Sequence, residues 1–168
     1  MRHTLIVMCM FLSSALPALP QDKTAISLTI MASRISWSNS QYVGHAFLCV
    51  GLQLNSGIKE DCLGFYPASQ NIKSFIGGPG VVDKEFGSKH PDHWANVSVS
   101  VQKNITPEQR RRIYALADEY NSKHYDLTDS NCVDFVDKIA EVAGWRRPPR
   151  SSIQFPVDYV AKLKELSQ

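Results

Sequence analysis

Apolar runs over residues 42–52 and 58–66 flank the turn signal Asn55-Ser56-Gly57, and this arrangement predicts a β-hairpin. A turn centred on Asn55 and Ser56 sets Cys49 directly opposite Cys62 and His45 directly opposite Tyr66. Residues 94–102 alternate cleanly, with Val97, Val99 and Val101 on one side and Asn96, Ser98 and Ser100 on the other, as expected of a strand buried on one face. Residues 25–37 mix β-branched and small residues and read as a first strand or an extended arm. Between hairpin and alternating strand, residues 67–93 are rich in Gly and Pro, with Gly77-Gly78-Pro79-Gly80 at the centre. Their length and composition predict a loop that rims or covers a site.

The pattern then turns helical. Thr106-Pro107-Glu108-Gln109 supplies a cap, a first-turn proline and a capping box, and Ile113, Leu116, Ala117 and Tyr120 follow as a buried stripe. After a short link at residues 125–127, Cys132, Phe135, Val136, Ile139, Ala140 and Ala143 recur at helical spacing, and Gly144 ends the run. Cys132 therefore falls in the first turn of a helix, on its inward face. Phe155-Pro156 leads a last amphipathic helix to Leu166, a strap across the core. The expected class is α+β, an antiparallel sheet packed against helices, with residues 21–168 as a single domain.

Residues 1–20 stand apart. Arg2 and His3 precede the apolar run from Leu5 to Leu12, too short for a membrane anchor of about 20 residues, so the segment reads as a secretory signal peptide. The expected protein is exported, periplasmic or secreted, with no stable membrane span once the leader is removed. Apolar residues at 43% and charged residues at 20% fit an ordinary globular protein. Formal net charge is +2, and loss of Arg2 with the leader lowers it by one, so no strong field steers partners. Arg110-Arg111-Arg112 and Arg146-Arg147 with Arg150 are basic clusters without interleaved aromatics, read as solvated faces, and nucleic acid is not an expected partner.

Cys9 leaves with the leader, so Cys49, Cys62 and Cys132 remain, an odd number that points to one free thiol. The hairpin register makes a Cys49–Cys62 disulfide possible in an oxidising compartment; two small buried apolar residues are the alternative. A thiol at a helix start is a candidate nucleophile, because exposed backbone N–H groups there can lower a cysteine pKa to roughly 3.5–7.5. His45, in an apolar strand, is the candidate base.

Gly44-His45-Ala46-Phe47-Leu48, followed about ninety residues on by Asn131-Cys132-Val133-Asp134-Phe135-Val136, resembles the circularly permuted NlpC-type branch of the papain-like cysteine hydrolases. In that branch, shared with lecithin:retinol acyltransferase and its relatives, histidine precedes cysteine. The resemblance implies a papain-like fold, Cys132 as nucleophile and His45 as general base. The third polar group that orients the histidine stays open: Tyr66 is the first candidate, with Glu60, Asp61, His90 and His93 as alternatives. The Cys132 backbone N–H is the expected oxyanion donor, with Asn131 as support or as a plain helix cap.

The expected reaction is amide hydrolysis through a thioester, with a cell-wall peptide crosslink or stem of peptidoglycan as the substrate the resemblance implies. Two other classes compete: a lipid-directed thioesterase or acyltransferase, and a non-catalytic envelope binding module. No cofactor is expected. His90-Pro91-Asp92-His93 with His45 and Cys132 would make a four-ligand zinc set, but the spacing matches no familiar zinc pattern. Asn96-Val97-Ser98 and Asn104-Ile105-Thr106 are glycosylation sequons, meaningful only in a eukaryotic secretory route. No inhibitor or immunity protein can be named from the sequence.

Overall fold

The computed structural model describes residues 25–168 apart from 35, 39–40, 43, 70, 86–89 and 152–153. The expected leader lies outside the described residues. Among the described residues no helix is long and apolar enough to cross a membrane.

The class is α+β. Strands β1 (Ile26–Ser33), β4 (His45–Leu54), β5 (Gly57–Pro67), β6 (Ile76–Lys84), β7 (Val97–Ile105) and β8 (His124–Asp126) form one sheet in the order β7-β1-β4-β5-β6-β8, every pair antiparallel. Short strands β2 (Ser36–Ser38) and β3 (Gln41–Tyr42) pair separately. The helices are α1 (Pro91–Ala95), α2 (Pro107–Tyr120), α3 (Cys132–Val142) and α4 (Pro156–Leu166). This architecture is consistent with a papain-like fold.

The hairpin of β4 and β5 turns at Asn55 and Ser56, and its register runs from Leu54 opposite Gly57 through Cys49 opposite Cys62 to Phe47 opposite Gly64. Residues 26–33 are not an arm but an inner strand, paired with β4 on one side and β7 on the other. β7 starts at Val97 rather than Trp94, which lies in α1 behind Pro91. A bulge between Ala32 and Ser33 breaks the alternation, so Val99 packs against the helix-side core while Val97 joins the opposite face.

Residues 67–93 are only partly loop. The segment holds a 3-10 turn at Ile72–Phe75, then β6, then α1. Two of its glycines serve close packing: a Cβ at Gly78 would meet the Ser74 backbone at 2.6 Å, and one at Gly80 the Phe65 ring at 2.4 Å. A strand laid this tightly on an aromatic core needs a residue without a side chain, which disguises it as loop. The link expected at residues 125–127 overlaps the edge strand β8, which runs over His124–Asp126.

One sheet face carries the main core. Ala46, Leu48, Val50 and Phe65 point into it and meet Ile113, Phe135, Ile139, Tyr159 and Leu163 from the helices. Phe135 is fully buried, its ring 5.0 Å from Tyr120 and 6.2 Å from Phe65. Truncating Phe135→Ala leaves a cavity there and will lower unfolding free energy by about 3–5 kcal/mol, measured by urea denaturation. The other face holds Met31, Phe47, Cys49 and Cys62 under Trp94 and Val97.

The basic cluster near residue 147 is not a solvated face throughout. Arg150 forms a two-point contact with Asp134, Nε to Oδ1 at 2.9 Å and Nη2 to Oδ2 at 2.8 Å. Arg147 pairs with Asp137, which also accepts from the Tyr159 hydroxyl at 2.7 Å. These contacts pin the strap to α3.

Candidate active site

Cys132 is the first residue of α3, and the sequence before it builds the helix start. Asn131 caps: its Oδ1 accepts from Val133 N–H at 2.8 Å, while its own backbone N–H donates to Asp134 Oδ2 at 3.0 Å, a complete capping box. The Asn131 amide also donates to Leu127 O at 2.9 Å. Its side chain is engaged as a cap, leaving one amide N–H for any oxyanion role.

The Cys132 thiol faces β4. The groups beside it that favour its thiolate are the backbone N–H of Ala46, the residue after His45, and the Tyr125 hydroxyl. Cys132 is the free cysteine among the described residues, and it is 5% exposed. The low thiol pKa expected of a helix start is not what the surroundings produce. Burial pushes the thiol up to about 11; the Ala46 N–H and Tyr125 hydroxyl pull against it, and the Asp134 carboxylate works with burial. Desolvation of the anion outweighs the helix-start dipole here.

The pH dependence follows in sign. Below about 11 the thiolate fraction rises ~tenfold per pH unit, so iodoacetamide labelling of Cys132, followed by peptide mass mapping, will be slow at neutral pH and keep accelerating above it. A rate already flat below pH 8 would show a resident thiolate instead.

His45 opens β4. Along that strand Ala46 faces the helices, whereas His45 goes with Phe47 and Cys49 to the other face. There its ring stacks on Tyr66 with centroids 4.4 Å apart and on His93 at 4.7 Å. Its Nε2 lies 3.1 Å from Glu85 Oε1, close but bent away from good hydrogen-bond geometry. Burial draws the imidazole below its ordinary value more strongly than the carboxylate raises it. Burial alone would raise Glu85, but contacts with His45 and His93 outweigh it and hold the carboxyl at about 2. The resting pair is a carboxylate beside a neutral imidazole.

Glu85, only 1% exposed, went unseen in the sequence reading. It follows β6 and its N–H donates to Cys62 O at 2.9 Å, so it continues the row from Cys49 through Cys62. From there its carboxylate reaches over Gly64, where a Cβ would stand 2.5 Å from Glu85 Oε1 and 2.7 Å from His45 Nε2. Gly64 is the gap that lets the two groups meet.

The other candidates for the third group are placed clearly. Tyr66 stacks on His45, and its hydroxyl lies 3.1 Å from His93 Nδ1 rather than on the His45 ring nitrogens. His93 Nδ1 is 3.3 Å from each Glu85 oxygen, and His90 stacks on Tyr66 and on His93. Glu60 is exposed towards the far end of the hairpin, opposite Gly51. Asp61 pairs with Lys84 and accepts from the Tyr114 hydroxyl at 2.9 Å. Cys49 and Cys62 are joined in a disulfide across the hairpin.

No family model matches this sequence, and no curated protein matches it. Among solved structures, the fold is similar to the crystal structure of the type VI secretion system effector TseH, with a TM-score of 0.55 and 19% identity over 88% of this chain and 91% of that one. At this identity the likeness establishes a shared fold.

Proposed function

We propose that the protein is a cysteine hydrolase of the circularly permuted NlpC type that cleaves amide bonds in peptidoglycan peptides outside the cytoplasm. One observation carries the reading: the Cys132 thiol, at the capped start of α3, lies by the peptide that follows His45, and His45 Nε2 has a buried carboxylate beside it. With Nε2 held towards Glu85, the imidazole proton sits on Nε2 and Nδ1 keeps its lone pair.

For the reaction the His45 ring, which β4 turns to the face opposite Ala46, has to bring Nδ1 to the thiol. Nδ1 then removes the thiol proton as sulfur attacks the carbonyl, and the ion pair arises during the reaction rather than before it. His45 returns the proton to the leaving amine, and water, deprotonated in turn, releases the acyl group. The Cys132 backbone N–H, at the first position of α3, is the oxyanion donor. Cell-wall peptide as substrate, and export as route, are supported by the leader-like first twenty residues and by the fold shared with a secretion effector.

The test is to incubate the protein with purified peptidoglycan and follow new amino groups together with muropeptide masses. Release of amines matched to lost crosslinks or shortened stems supports the proposal. Intact peptidoglycan beside turnover of long-chain esters would move the protein to the acyl-transfer class. No turnover of either would make it a binding module.

A further inference from the structure

We propose that His45 Nε2, Glu85 and His93 Nδ1 form a binding site for a zinc-class divalent cation. The three donors come from different places in the chain, the start of β4, the end of β6 and helix α1, and their ligand atoms lie within 4.8 Å of one another. Two imidazoles and one carboxylate are a donor set that Zn²⁺ favours.

The spacing fits. Bonds of about 2.0–2.1 Å in a tetrahedron separate neighbouring donors by about 3.3 Å. Glu85 Oε1 stands 3.1 Å from His45 Nε2 and 3.3 Å from His93 Nδ1. The buried Nε2 of His45 has no hydrogen-bond partner of good geometry, although it points at the carboxylate. Gly64 lies under both donors, and because a Cβ there would come within 2.5 Å of Glu85 Oε1 and 2.7 Å of His45 Nε2, its lack of a side chain is what lets them converge. Tyr66 Oη, 3.1 Å from His93 Nδ1, is in place to complete the shell, its hydrogen bond to that nitrogen giving way when Nδ1 takes the metal. This set differs from the one the sequence suggested: Glu85 replaces Cys132, and His90 stacks beside the site.

The cation has a consequence for chemistry, which rests on the cysteine-hydrolase reading. A neutral imidazole that gives its Nε2 lone pair to a metal carries its proton on Nδ1. Nδ1 then has no lone pair for the thiol, so the bound cation silences the base by fixing the opposite tautomer.

Binding is tested apart from activity, in chelator-treated protein carrying Cys132→Ser. Titration calorimetry with Zn²⁺ is expected to show one ion per chain, and Co²⁺ to give visible d–d bands without a sulfur charge-transfer band. Adding His93→Ala or Glu85→Gln should weaken Zn²⁺ by at least ~100-fold, with folding of each variant checked by circular dichroism. His124→Ala, at an exposed surface histidine, should change nothing. No uptake, uptake that needs the Cys132 thiol, or affinity unchanged in both ligand variants would overturn the site. In the wild type, Zn²⁺ should stop hydrolysis at the same affinity and a chelator should restore it. Binding without that effect would overturn the tautomer switch alone.

Discussion

Cys132→Ser will reduce turnover by at least ~10^4-fold while changing stability by no more than ~1 kcal/mol. On the proposed mechanism the first figure follows from removing the atom that would form the covalent intermediate, after which only binding and oxyanion contacts remain. The second follows from size and place: serine keeps the volume closely and its hydroxyl can accept from the same Ala46 N–H and Tyr125 hydroxyl that now serve the sulfur. Steady-state hydrolysis beside urea unfolding checks both. Equal turnover in the two proteins would end the cysteine mechanism, and a collapse in stability would mean that the thiol is there for packing.

On the proposed mechanism Glu85→Gln will cost about 10^2–10^4-fold in kcat with a much smaller change in KM, because there the carboxylate serves to set the tautomer of His45 rather than to bind substrate. A glutamine can turn its NH2 towards Nε2, which places the imidazole proton on Nδ1, the wrong nitrogen for a base. Since its carboxyl is held at about 2, Glu85 stays charged across the working range, and its own protonation adds no limb to the pH profile there. Gly64→Ala should act in the same direction by a different cause, forcing apart two groups that would each lie within 3 Å of the new methyl. Unchanged kcat in Glu85→Gln would remove Glu85 from the catalytic arrangement.

The hairpin was legible because a two-residue turn fixes register, and register is a local property: once Asn55 and Ser56 form the turn, Cys49 must meet Cys62. Helix α3 was legible for a similar reason, since the spacing from Cys132 to Ala143 and the Asn131–Asp134 capping box are local signals. β6 was not, because Gly80 at its centre answers to the Phe65 ring, a neighbour many residues away. Missing β6 hid Glu85, whose meaning comes only from lying beside Cys62 and reaching across Gly64. The thiol's pKa was misjudged on similar grounds: a helix start can be read from sequence, but the depth of its burial cannot.

Asp134 answers to two masters, the amide that opens α3 and the guanidinium of Arg150. The scaffold around the sulfur is therefore finished by residues synthesised after it. Until Arg150 and the helix that ends at Leu166 have emerged from the ribosome, a nascent polypeptide has the cysteine but not the clamp that steadies it. A chain cut short before Arg150 would therefore carry the cysteine at a helix start that lacks its ionic anchor.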